Sequence, residues 1–216
     1  MNILLIDNRD SFTFNLAEAC RTAGATIEVV RNSVDAAEAL NRAIEFGATI
    51  MLSPGPGAPV DAGCCLELIR LAEGRVPVIG ICLGHQAIVE AAGGIVCRAH
   101  EPAHGKCSML EHQDSGPFEG LPSPLRIGRY HSLCTPIVGL PERFAIDAAL
   151  DGMAMAIRDD RAGQLGLQFH PESILTPCGD RLLAAILEWA RALSGRWRGA
   201  DALPQSIRVS RNEHAA

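Results

Sequence analysis

Val76-Pro77-Val78-Ile79-Gly80-Ile81-Cys82-Leu83-Gly84-His85-Gln86 is the stretch that decides how this chain is read. Val76 to Ile79 is a short continuous apolar run, which predicts a buried strand. A sharp turn follows with Cys82 at its tip. His85 to Ala92 predicts a helix, stopped by Gly93-Gly94. Strand, tight turn and helix make the layout of a nucleophile elbow, here with sulfur in place of a hydroxyl. The unpaired amides and dipole of the helix start favour negative charge on that sulfur. A cysteine is more often a small core residue. The chain has eight of them, and only Cys82 sits in a Gly-x-Cys-x-Gly frame behind an apolar strand.

Outward from this stretch, strand and helix alternate. Strands are predicted at Ile3–Ile6, Thr26–Arg31 and Thr49–Leu52. Helices are predicted from Asp10 or Ser11 to about Ala23, from Ser33 or Asp35 to Phe46-Gly47, and over Gly63–Glu73. This alternation predicts an α/β fold, an open doubly wound and mostly parallel sheet flanked by helices. In such sheets the ligand lies beyond the carboxyl ends of the strands. The loops Asp7–Ser11, Ser53–Pro59 and Gly80–His85 fall there.

The second half is punctuated by Gly and Pro. Short strands are predicted at Ile95–Arg98, Leu125–Arg129, Phe144–Ala149, Met153–Arg158 and Gln164–Phe169, giving a smaller strand-rich insertion. Asp180–Leu193 predicts an amphipathic helix. Residues 1–194 are read as one domain, and 195–216 as a loosely ordered C-terminal tail.

Composition narrows the function classes. A hydrophobic content of 48% argues against disorder, and a net charge of -6 gives no electrostatic case for nucleic acid or an anionic membrane. No apolar run approaches the ~20 residues that span a bilayer. Met1 to Asp7 has no basic segment of an export signal, so the expected location is cytoplasmic, with reduced thiols. No Cys-x-x-Cys pair suggests a metal.

Two further stretches supply what a thiol nucleophile needs. In Gln168-Phe169-His170-Pro171-Glu172-Ser173, an extended backbone puts His170 and Glu172 on one side, so that the carboxylate can orient an imidazole base. Without a nucleophile, His-Pro-Glu reads equally as a surface turn. In Ser53-Pro54-Gly55-Pro56-Gly57-Ala58-Pro59, the glycines let the backbone approach a ligand. The amide of Gly57 can pair with that of Leu83 as an oxyanion hole. Alone, that loop is an ordinary Pro-Gly turn. His104-Gly105-Lys106 and Arg129-Tyr130-His131-Ser132-Leu133 could line a pocket or be satisfied surface loops.

Together these stretches, with Asp7-Asn8-Arg9-Asp10-Ser11-Phe12-Thr13-Phe14-Asn15-Leu16 and Gln168 to Pro177, resemble the class I, triad-type glutamine amidotransferases. The resemblance runs from Ile3 to about Leu193. Within the family it is closest to the small subunits of anthranilate synthase and aminodeoxychorismate synthase. It implies an enzyme that splits L-glutamine into glutamate and ammonia through a γ-glutamyl thioester on Cys82, with His170 moving protons and Glu172 orienting it. It implies that Gly55, Pro56, Gly57, Gln86, Ser132 and Leu133 hold the glutamine. The implied partner is a chorismate-binding synthase subunit, with no cofactor in this chain and Mg2+ only in that partner. The departures are Arg9, where the family usually has an aromatic residue, and Asp159-Asp160, where a basic residue is usual. The segment up to Gln168 also differs from the usual Arg-His-containing loop, and the tail beyond Leu193 has no counterpart in the pattern. The alternatives are an ammonia-delivering enzyme for another acceptor, a stand-alone γ-glutamyl hydrolase and a catalytically idle subunit.

Overall fold

The computed structural model describes residues 1–201. Its centre is a seven-stranded sheet in the order β2-β1-β3-β4-β11-β10-β9. The five strands β2 (Thr26–Arg31), β1 (Asn2–Asp7), β3 (Ala48–Leu52), β4 (Val78–Ile81) and β11 (Gln164–Leu167) are parallel. β10 (Met153–Asp159) and β9 (Ala145–Leu150) extend the sheet antiparallel. Five helices accompany it: α1 (Thr13–Thr22), α2 (Ala36–Phe46), α3 (Cys65–Ala72), α4 (Leu83–Ala91) and α5 (Gly179–Asp201).

The middle of the sheet is buried on both faces because β1, β3 and β4 are nearly continuous apolar runs. In β1, Ile3 and Leu5 pack with α1 and α5, while Leu4 and Ile6 pack with α2, α3 and α4. The α1 register differs from expectation. Neither Asp10 nor Ser11 is its N-cap. Asp10 Oδ1 accepts from the Phe12 amide at 2.8 Å, forming a local turn, and the helix starts only at Thr13. Asp35 does cap α2, accepting from the amides of Ala37 and Glu38 at 2.9 and 3.0 Å.

The strand-rich insertion is smaller than expected, because β9, β10 and β11 join the central sheet. What remains apart is two ribbons: β5 (Cys97–Arg98) with β8 (Leu133–Cys134), and β6 (Lys106–Leu110) with β7 (Leu125–Arg129). β6 and β8 have no counterpart among the strands predicted from sequence. They are short, and their pairing comes from tertiary context rather than from periodicity.

The boundary expected after residue 194 falls inside α5, which runs on to Asp201. Gly195 costs a helix about 1 kcal/mol and does not end it. Trp197 packs so closely on Gly163 that a β-carbon there would lie 2.2 Å from its ring. The rest of the expected tail, 202–216, lies outside the described residues.

Asp159 and Asp160 work within the fold. Asp159 Oδ2 pairs with Arg143 at 2.6 Å, and its Oδ1 accepts from the amides of Arg161 and Ala162, closing the β10–β11 turn. Asp160 pairs with Arg158 and accepts from Trp189 Nε1 at 2.7 Å, fastening α5 to that turn.

Candidate active site

The elbow is tighter than its sequence suggests. Pro77 delays β4 by two residues, and Gly80 stays within the strand. Cys82 alone separates β4 from α4, with φ 53° and ψ −99°. A side chain with a β-carbon is strained there, and such strain is stored where geometry matters. The flanking glycines are required sterically. A β-carbon on Gly80 would lie 2.3 Å from the carbonyl carbon of Gly84, and one on Gly84 would lie 2.6 Å from the Leu52 oxygen. Their lack of side chains lets α4 settle directly on the sheet.

Register then brings the second stretch to the first. β11 pairs with β4, with Leu167 opposite Ile81, and the Cys82 amide donates to the Leu167 oxygen at 2.7 Å. Gln168, fully buried, therefore lies beside Cys82 and donates from Nε2 to its sulfur at 3.7 Å. Gln168 Oε1 in turn accepts from Gln86 Nε2 at 3.1 Å, and that same amide reaches the Leu133 oxygen at 3.1 Å. Gln86, Leu133, Gln168 and Cys82 thus form one connected line.

His170 and Glu172 meet as expected but for a different reason. β11 ends at Leu167, so residues 170–176 form a turn rather than extended chain. Thr176 Oγ1 donates to the His170 oxygen at 2.7 Å and accepts from the Gly128 amide at 3.0 Å, pinning the turn to β7. Within it, His170 Nδ1 meets Glu172 Oε1 at 2.7 Å, both side chains being almost completely buried. His170 Nε2 is buried with no hydrogen-bond partner. Burial opposes charge on this ring. The neighbouring Cys82, with the hydrogen bond and charge of Glu172, outweighs it and pushes the His170 pKa up to about 10.

Aromatic rings cover the imidazole. Phe12 and Tyr130 have centroids 5.2 and 5.0 Å from that of His170, both edge-on, and Tyr130 Oη lies 3.0 Å from Ser173 Oγ. Tyr130 therefore belongs to the site, and the His104 ring stands edge-on to it with centroids 6.2 Å apart. Lys106 is exposed on β6. His131 Nδ1 holds the Leu133 oxygen at 2.9 Å, and burial drives the His131 pKa down to about 4. Ser132 is exposed and its oxygen accepts from the Ala99 amide at 2.9 Å.

The Pro-Gly loop lies against the elbow. A β-carbon on Gly55 would sit 2.6 Å from both Asn8 Cβ and Leu83 Cδ2. Pro56, Gly57 and Leu83 border one cavity of about 450 Å³ with Asn8, Arg9 and Asn32. It opens beyond β1 and β3, at the carboxyl ends of the strands. Asn8, not singled out in the sequence, fastens this corner. Its backbone amide donates to Ser53 Oγ, its Nδ2 donates to the Ser53 oxygen, and its Oδ1 accepts from Asn32 and Cys65. The signal that marks Asn8 and Gln168 is a polar residue at a strand end beside a motif. Among the described residues no group of three His, Cys, Asp or Glu is placed to hold a metal ion, and no helix is long and apolar enough to cross a membrane.

Residues 4–189 match the family model described as "Glutamine amidotransferase class-I". The chain belongs to that family. It is 49% identical over 191 residues to anthranilate synthase component 2 of Vibrio parahaemolyticus, spanning 88% of this chain and 96% of that one. It is 50% identical over 200 residues to the pyocyanine-specific anthranilate synthase component 2 of Pseudomonas aeruginosa, spanning 92% and 98%. In fold it is similar to a glutamine amidotransferase of Thermotoga maritima, with TM-score 0.68, 19% identity and coverage of 91% and 97%. A putative GMP synthase protein of Thermoplasma acidophilum has the same fold, with TM-score 0.76, 23% identity and coverage of 93% and 97%. As a class I glutamine amidotransferase the chain is an enzyme, and its relatives support the role of glutaminase subunit.

Proposed function

We propose that this protein is the glutaminase subunit of an anthranilate synthase, splitting L-glutamine on Cys82 and passing the ammonia to a chorismate-binding synthase subunit. The observation that carries the reading is the convergence of two distant segments: the Cys82 elbow on β4, and the His170–Glu172 pair at 2.7 Å behind the neighbouring β11. The names of the relatives support anthranilate as the product.

In this reading the Cys82 sulfur attacks the side-chain amide carbon of glutamine. The oxyanion is held by the amides of Gly57 and Leu83. His170 delivers its proton to the departing nitrogen, and ammonia leaves a γ-glutamyl thioester. Water, deprotonated by His170, cleaves the thioester to glutamate and restores the thiol. Glu172 keeps Nε2 of the ring turned to the sulfur. Gly55, Pro56, Gln86, Ser132 and Leu133 hold the glutamine backbone groups. No metal or cofactor is needed in this chain, and Mg2+ serves the partner. Ile174 is 94% exposed two residues from Glu172, which suits a surface that the synthase covers. The enzyme acts in the cytoplasm.

Reconstitution with the synthase subunit tests this. Cys82→Ala abolishes anthranilate formation from chorismate and glutamine while formation from chorismate and ammonium salts persists. Aminodeoxychorismate as the sole product would replace the assigned pathway. Vigorous glutamine hydrolysis by the isolated chain, without stimulation by any synthase, would mark a free-standing hydrolase instead.

A further inference from the structure

The β5–β8 ribbon carries two cysteines in direct register. Cys97 is the pairing partner of Cys134, so their side chains leave the ribbon on the same face. Two residues along, the Ala99 amide donates to the oxygen of its partner Ser132 at 2.9 Å. Cys97 and Cys134 are therefore also a hydrogen-bonded pair, a class with Cα atoms about 5.5 Å apart. Disulfides form at Cα separations of about 4.4–6.8 Å. Cys97 is exposed, and both cysteines are free thiols. Cys134 is buried, yet it forms part of the wall of a cavity of about 430 Å³ that His100, Arg129, Pro136 and Met153 also line. Burial, then the charge and hydrogen bonding of Cys97, push the Cys134 thiol up to about 11.

We propose that Cys97 and Cys134 are a thiol–disulfide site, oxidised to a cross-strand disulfide by a low-molecular-weight disulfide such as oxidised glutathione, and that its state sets the affinity for glutamine. The exposed Cys97 thiolate attacks one sulfur of the reagent, forming a mixed disulfide and expelling one reagent thiolate. The Cys134 thiolate then attacks the Cys97 sulfur and expels the second. Each cysteine gives up one proton and one electron, and the reagent disulfide is reduced to two thiols.

The link to glutamine runs through one residue. Leu133, adjacent to Cys134, accepts from Gln86 Nε2 at 3.1 Å through its backbone oxygen. Opposed β-carbons in a sheet stand about 4.5–5.5 Å apart. A disulfide needs them at about 3.8 Å. Closing that gap shifts β8, and with it the Leu133 oxygen, so the Gln86–Leu133 contact is disturbed in the oxidised form.

The test treats the assembled complex with oxidised glutathione and digests it with trypsin under non-reducing conditions. The expected product joins Val76–Arg98 to Tyr130–Arg143, with fragmentation placing the bond at Cys97 rather than Cys82. This readout is independent of any activity, so its failure is distinguishable from failure of the glutaminase reading, on which only the kinetic arm rests. In that arm, KM for glutamine rises about fivefold on oxidation. Dithiothreitol restores it, and Cys97→Ser shows no such rise. Absence of the linked peptide, glutathione adducts without the linkage, or an equal loss in wild type and Cys97→Ser would overturn the proposal. A linked peptide with unchanged KM would overturn its coupling to glutamine.

Discussion

Gln168 donates its side-chain amide to the Cys82 sulfur at 3.7 Å while its oxygen accepts from Gln86 at 3.1 Å. The residue thus joins the sulfur proposed as nucleophile to a side chain proposed to bind glutamine. Replacing it with leucine removes a buried donor aimed at negative charge. Glutamine-dependent kcat/KM is expected to fall by about 10². Ammonia-dependent turnover by the complex stays unchanged. In Gln168→Glu, a carboxylate beside the sulfur replaces the donor, so alkylation of Cys82 at a fixed pH is expected to slow.

Gly80 and Gly84 admit α4 to the sheet. Gly84→Ala places a β-carbon 2.6 Å from a main-chain oxygen of β3, which has no flexible end to move. A loss of about 1–3 kcal/mol is expected in urea unfolding. Gly195→Ala, where a β-carbon meets no neighbour within 4 Å, is the matched control and gains up to about 1 kcal/mol.

His170 gives stability a pH signature. Its folded pKa, about 10, lies above the ordinary histidine value of 6.5. The folded state therefore holds the proton more tightly than the unfolded chain. The resulting stability is fully present below pH 6.5 and is lost as pH rises toward 10. Thermal unfolding followed over that range should show a declining Tm in the wild type, and a flatter profile in His170→Asn.

Tyr130 separates ring packing from hydrogen bonding. Tyr130→Phe keeps the edge contact with His170 and loses only the partner of Ser173, so it costs about 1 kcal/mol and leaves the rate nearly unchanged. Tyr130→Ala opens one side of the imidazole, and the expected fall in kcat is about tenfold, measured with saturating glutamine.

Asn8 holds the Pro-Gly loop by two hydrogen bonds to Ser53. Asn8→Ala deletes the side-chain bond and leaves the buried Ser53 oxygen and Asn32 amide unpaired. A cost of about 1–3 kcal/mol is expected from denaturant titration, with a lower kcat because Gly57 is then less firmly placed.

The alternation of strand and helix is legible in the sequence because parallel strands are continuous apolar runs with polar turns after them. Cys82, His170 and Glu172 are legible because their motifs are local. An extended backbone is nevertheless the wrong reason for the last two: the pair is made by a Thr176-pinned turn, which leaves no periodic trace. Gln168 gives only a faint local signal, since its role arises from the register of β11 against β4, a contact between residues far apart in sequence. The ribbons β5–β8 and β6–β7 are hard to read for the same reason. Asp159 and Asp160, conspicuous as departures from the family pattern, close a hairpin and fasten a helix.

Among the described strands only β11 touches both β4 and β10. During synthesis the Cys82 elbow is therefore made long before the proposed base, His170. Until Gln164–Leu167 has left the ribosome, β4 presents an open edge and the β9–β10 hairpin has no strand to join it to the central sheet. A chain halted short of that strand carries Cys82 without its proposed base, together with an unpaired apolar edge prone to aggregation. Insertion of the four-residue β11 joins the two halves of the sheet, and the Thr176-pinned turn that follows it brings the proposed base to Cys82.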